Sequence, residues 1–260
     1  MFLINYFKEV YKFKDFLYFL SLGNFKSQFS QTELGFLWGV INPFATSFAF
    51  TILGIIYNVS DDLITHFVFT LTGMLPWVLF REGLLNTSEC YLKNANLIKK
   101  VKFPRIILLI ANLTPKLVDF LVGFTVLIII SLLKNAHFGI SFLLIPLLLL
   151  INMFSSIGIG LLFIKPVTNF RDLRFLLRHA IPLVMFISPV VYSSSAIHGN
   201  WLEVYSYNPL VGVIEGFRAI FNHTAIPWVF ILKGSIVSSV IFVSGLFVFV
   251  KNENNLSDYL

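Results

Sequence analysis

An all-α integral membrane protein is the fold class this sequence predicts, on three observations. The 260 residues are 57% hydrophobic and only 12% charged, with a mean hydropathy of +0.84, whereas soluble domains carry about 25% charged residues. Apolar stretches long enough to cross a bilayer recur along the chain, and basic residues gather in alternate connections between them. The stretches are continuous, without the period-two alternation of barrel strands, so they read as helices. A net charge of +6 spread between apolar segments, and not concentrated on one soluble domain, argues against a nucleic-acid partner.

A helical span takes roughly 20 apolar residues at about 1.5 Å each. Six segments meet or approach that length: 34–57, 67–85, 106–133, 140–164, a shorter fifth at 175–192, and 226–250. Pro43, Pro76 and Pro115 fall inside spans, where neighbouring helices can re-satisfy the freed carbonyls. The N-terminal segment, the connections 90–105 and 165–178, and the tail together hold 14 of the 19 Lys and Arg residues, against two, Lys134 and Arg218, on the other side. That bias predicts cytoplasmic N and C termini.

Residues 1–33 form a segment of their own. Lys12, Lys14 and Asp15 interrupt any signal-peptide core, and no small-residue cleavage site follows. Leu3, Tyr6, Phe7, Val10, Phe13, Leu17 and Leu20 instead recur at helical spacing, the pattern of an amphipathic helix lying in the membrane interface. The expected organisation is therefore this interfacial segment, one membrane domain over 34–250 and a cytoplasmic tail, 251–260.

The stretch "NANLIKKVKFPRI" (94–106) interrupts the apolar chain with four basic residues. Leu97, Ile98 and Val101 make one apolar helical patch flanked by lysines, and Pro104 ends that helix by disfavouring the α conformation at Phe103. Such a helix suits either positive-inside anchoring or docking of a cytoplasmic protein. Charges inside spans cost about 2.5–3.5 kcal/mol each on the insertion scale. Lys116 and Asp119, three apart, are spaced to pair on one face, as a structural ion pair or as part of a substrate path. Arg81 and Glu82 are adjacent and are expected to point in different directions. Enzyme chemistry finds little support. The histidines (His66, His137, His179, His198, His223) lack metal-ligand spacing, Asp61 and Asp62 read as a solvated turn, and the single Cys90 reads as a buried thiol.

The strings "TELGFLWGVINPF" (32–44), "GMLPWVLF" (73–80), "NANLIKKVKFPR" (94–105), "LVDFLV" (117–122), "NFRDLR" (169–174), "SPVVY" (188–192) and "NPLVGVIEGFRAIF" (208–221) occur in this order. Together they resemble the permease subunits of ABC-2 type polysaccharide exporters, which move O-antigen, capsule or teichoic acid chains. The likeness covers nearly the whole chain. Arg81 and Glu82 depart from the smaller polar residues of that family, and "NFKSQF" (24–29) lacks its fuller basic pattern.

The resemblance implies a multi-pass protein of the bacterial plasma (inner) membrane, working as a homodimer with two copies of a separate ABC ATPase subunit. It implies a coupling helix on Asn94, Ala95, Asn96, Leu97, Ile98, Lys99, Lys100 and Val101, and a second cytoplasmic contact at Arg171, Asp172 and Arg174. No P-loop string occurs in the chain, so no cofactor is expected on it, and ATP and Mg belong on the partner. The family also implies short re-entrant helices between the fifth and sixth spans. That connection carries Trp201, Tyr205 and Tyr207, with Glu215 and Arg218 spaced to pair. These residues, with Phe36, Trp38, Phe44 and Tyr192, are the candidates for channel or gate, since aromatic faces suit a passing sugar polymer. The expected cargo is a polyprenyl-linked polysaccharide. The rival readings are a drug or lipid exporter, a membrane enzyme acting on polyprenyl-linked sugars, and a passive channel or secondary transporter.

Overall fold

The computed structural model describes residues 9–30, 33, 35, 37–59, 62–134 and 138–256. Phe36, Asp61, His137 and the first residues of the interfacial pattern, Leu3, Tyr6 and Phe7, lie outside them. Regular structure among the described residues is helical: α1 (Lys14–Phe29), α2 (Leu37–Ile56), α3 (Leu63–Ser88), α4 (Cys90–Lys93), α5 (Ala95–Lys100), α6 (Ile106–Leu133), α7 (Ile145–Asn169), α8 (Arg171–Ile187), α9 (Asn200–Tyr205), α10 (Pro209–Asn222) and α11 (Trp228–Leu256).

Among the described residues, five helical stretches are long and apolar enough to cross a membrane: α2, α3, α6, the run Ile140–Asn169 made of a 3-10 turn and α7, and most of α11. The segment expected as a fifth span is α8, a helix of 17 residues. Its first half carries Arg171, Asp172, Arg174, Arg178 and His179, and its apolar length falls short of the other five.

Local chemistry sets the boundaries. Asp62 caps α3 by accepting a hydrogen bond from Ile64 N at 3.1 Å, and the Lys134 ammonium reaches the same carboxylate at 2.6 Å. Those contacts, with the Thr65 hydroxyl, hold the Asp62 carboxyl below its ordinary range. Asn208 caps α10 through Leu210 N at 3.1 Å, with Pro209 in the first turn.

The bundle is built around α3 and α7, the two spans with the most buried surface. Helix α2 packs on α3 and α6, α1 packs on α6, and α11 lies along α7. Helix α10 wedges across α3, α7 and α11, and nearly all its side chains are buried. The main apolar core joins Leu71, Leu75, Phe120, Phe124, Leu148 and Phe217. Helices α7 and α11 cross closely because glycines face each other. A Cβ on Gly245 would stand 2.5 Å from Gly158 O, and beside that crossing the rings of Phe154 and Phe242 stack at 4.5 Å. Asn152 joins α7 to α3 by donating to Pro76 O at 3.0 Å. The outward faces of α6 and α11 expose Leu121, Ile129, Ile236, Val240 and Phe247, a surface suited to lipid.

Helix α1 turns Phe16, Leu17 and Leu20 toward a second core that includes Tyr91, Phe103 and Ile107. Asn24 donates to Asn112 Oδ1 at 2.9 Å and Gln28 to Asp119 Oδ2 at 3.0 Å. Tyr18 and Phe19 are left exposed.

Candidate functional site

The lysine-rich connection between α3 and α6 folds as two short helices. Asn94 closes α4 by donating its side-chain amide to Cys90 O at 2.8 Å, and α5 starts immediately after it. Ile98 is buried with Phe103 and Ile107, and Leu97 packs half-buried on the same cluster. Val101 is not part of that patch: the chain is already extended there, and its side chain is exposed with Asn96, Lys99 and Lys100. The Arg105 guanidinium folds back onto α5, donating to Val101 O at 3.1 Å and Ile98 O at 3.3 Å. It satisfies carbonyls that a helix end leaves open. Arg105 N donates to Glu253 Oε1 at 2.6 Å, which ties this connection to the end of α11.

A buried carboxylate stands at the root of the same connection. Glu89, 2% exposed, receives Arg178 through two bonds of 2.6 and 2.7 Å, with Arg174 and Lys93 each 3.4 Å away. Burial pushes the Glu89 carboxyl up, but the Arg178 bonds and the charges of Lys93, Arg178 and Arg174 outweigh it, and the group sits below the ordinary glutamate value. Of the residues expected at the second cytoplasmic contact, only Arg174 joins this cluster; Arg171 and Asp172 are exposed. Sequence reasoning missed Glu89 and Arg178. The i,i+4 spacing of Glu89 and Lys93 is the one local signal that pointed there.

Further along α3 and α6, Lys116 Nζ lies 3.4 Å from Asp119 Oδ2, on a cavity of about 230 Å³ that Gln28, Trp38, Asn42 and Arg81 also line. A Cβ on Gly39 would run into the Asp119 side chain, so the close approach of α2 to α6 here favours glycine. Arg81 and Glu82 do not diverge as their adjacency suggested. Both side chains curl into the cavity and meet at 3.0 Å, because flexible stems let neighbouring charges pair where the alternative is apolar surroundings. Trp38 is 53% exposed, whereas Phe44 packs inward against Phe67 at 6.0 Å.

About 12 residues back along α3 from Arg81, or roughly 18 Å of helix, a second cluster centres on Arg218, which stacks on Phe69. Only 3% exposed, its guanidinium donates to Tyr192 O at 2.7 Å and Val190 O at 2.6 Å, reaches Glu215 at 3.3 Å and stacks 3.8 Å over Phe69. Glu215 in turn accepts from Ser194 N at 2.8 Å. The Tyr192 and Tyr205 hydroxyls meet at 3.0 Å. Trp201 and Tyr207 remain exposed, the latter with Lys233 Nζ 4.7 Å over its ring. The candidate residues thus fall into separate groups: the α5 connection, the Lys116 cavity, and the Arg218 cluster with its aromatic rim.

No protein-family model matches the chain. Curated relatives do. Two proteins of Klebsiella pneumoniae named O-antigen export system permease protein RfbA are each 26% identical over 247 residues, covering 95% of this chain and 95% of the relative. A Myxococcus xanthus protein of the same name is 23% identical over 227 residues, covering 86% of this chain and 87% of the relative. With helical structure and five membrane-length helices among the described residues, and relatives named as permeases, the chain has the make-up of a multi-pass transporter subunit. Over most of its length its likeness is to the permeases of ABC-2 type polysaccharide exporters, as the ordered motifs implied.

Proposed function

We propose that this chain is the membrane-spanning, channel-forming subunit of an ATP-driven exporter that carries a polyprenyl-linked polysaccharide out of the cytoplasm. The near-full-length likeness to proteins named as O-antigen export permeases carries this reading. In it, α8 continues toward Tyr192 as a sixth crossing and both termini face the cytoplasm. Helices α9 and α10 re-enter from the outer side, and two copies enclose the path. Two ATPase subunits, holding ATP and Mg, supply the energy.

The α5 connection then serves as the coupling element, and its construction suits the role. Helix α5 is anchored by Ile98, clamped by Arg105, and joined to α3 and α6 by only a few residues on each side. A rigid segment of this kind passes a push from a docked ATPase into two spans, as a slack loop does not. Glu89 extends the push to α8 through Arg178. At the far end, Arg218 holds the segment after α8 against α3 and α10, beside aromatic faces that let sugar rings slide.

Co-purification from native membranes tests the reading. The natural chain is expected to bring down a stoichiometric ATPase. A Lys100→Glu, Val101→Asp variant, altered at exposed positions only, is expected to insert normally and lose that partner or its stimulation. Normal ATPase binding and export by the inserted variant would exclude α5 as the coupling element.

A further inference from the structure

Helix α6 begins without a cap of its own. The side chain at its N-cap position, Arg105, makes no capping bond, and no acid stands in its first turn. The first amides of a helix lack carbonyl partners within it, and the helix dipole favours a carboxylate beside them. That carboxylate comes from the far end of the sequence. Glu253 Oε1 accepts from Arg105 N at 2.6 Å, across a separation of 148 positions.

The contact is held from behind. Phe249 and Tyr91, both buried, meet edge to face with ring centroids 6.2 Å apart, and the Tyr91 hydroxyl donates to Glu253 O at 3.5 Å. Tyr91 belongs to α4, so the last turns of α11 hold α4 before α5 and the start of α6 after it. The Arg105 guanidinium turns the other way, onto the Ile98 and Val101 carbonyls. One residue thus joins α5 to α11, by its side chain on one side and its backbone on the other. Helix α11 runs unbroken from this contact, lying along α7 and α10. About 20 residues back, or roughly 30 Å of helix, Lys233 Nζ donates to Ser206 Oγ at 3.0 Å and sits over the Tyr207 ring, at the end of α9.

We propose that Glu253 is a positioning residue of the α5 connection, and that through it α11 takes up movement of α5 as a third helix beside α3 and α6, passing it to the α9 segment. The role rests on the export reading; the tie itself does not. A charge-assisted bond at a helix start resists separation more than a neutral one, so α5 and the start of α6 shift together with the end of α11. Without the carboxylate, α5 and α6 can shift while α11 stays against α7 and α10, and less of the movement reaches α9.

Two measurements on the full chain separate the tie from its role, using Glu253→Ala, which removes the acceptor, and Glu253→Gln, which keeps a neutral one. The first is amide hydrogen exchange over residues 101–108 in nanodiscs without any ATPase. Exchange is expected to quicken about tenfold in the Ala variant and less in the Gln variant. The second is the number of ATP molecules hydrolysed per glycan carried in proteoliposomes with the co-purified ATPase. That ratio is expected to rise about tenfold in the Ala variant and less in the Gln variant, with the ATPase still bound because the exposed face of α5 is untouched. A ratio unchanged in both variants while exchange quickens makes Glu253 merely structural and overturns the proposal, as does unchanged exchange. Failure of the natural chain to carry glycan with ATP contradicts the export reading itself and removes the role with it, and exchange still reports the tie.

Discussion

Glu89 shows how much one buried charge can organise. Its carboxylate pairs directly with Arg174, Arg178 and Lys93, and it fastens α8 to the end of α3. Glu89→Gln leaves those cations without their counter-charge, although their partial exposure lets water recover some of the loss. A destabilisation of about 1–3 kcal/mol is expected, read as a lower unfolding temperature of the purified protein. The pH dependence has a definite sign. A carboxyl whose folded pKa is depressed contributes its stability above its unfolded value, about 4.3, and loses it as pH falls through the lower folded value. The natural chain should therefore lose stability on acidification below about pH 5, and the Gln variant should lose less over the same window. This pairing was illegible in the sequence because Arg178 and Glu89 lie 89 positions apart and leave no periodic trace. Arg81 and Glu82 were misread for a related reason: adjacency fixes where the Cα–Cβ bonds point, not where long side chains end.

At the scale of elements, the legible features were those set by length and hydropathy. The span expected at 106–133 is helix Ile106–Leu133, and the Pro104 stop separates α5 from α6. Helix α8 was harder because its first half is charged and its apolar half is short, so hydropathy alone does not separate a crossing from a surface helix. The α7–α11 crossing had no sequence signature that distinguished Gly158 and Gly245 from other glycines; only their mutual approach does. Gly245→Val forces a Cβ to 2.5 Å from Gly158 O and is expected to cost about 1–3 kcal/mol or more, seen as reduced folded yield in detergent size-exclusion. Gly23→Ala, with nothing within 4 Å of the added carbon, should instead leave α1 unchanged or up to about 1 kcal/mol more stable. Equal behaviour of the two variants would contradict the close-packed crossing.

For the whole molecule, continuous helices join the α5 connection to the Arg218 cluster. Helix α3 runs from the region of Phe69 and Arg218 to Glu89, and α6 links the Lys116 cavity to the clamped α5 connection. On the proposed reading, a displacement applied at α5 passes along α3 to the Arg218 cluster. The decisive measurement is transport in proteoliposomes containing this chain, its co-purified ATPase and a lipid-linked glycan labelled on the outer leaflet of inside-out vesicles. Glycan carried into the lumen only with both subunits and hydrolysable ATP is the expected result. Glycan movement, or chemical change of the glycan, that proceeds without ATP or without the partner would contradict the account.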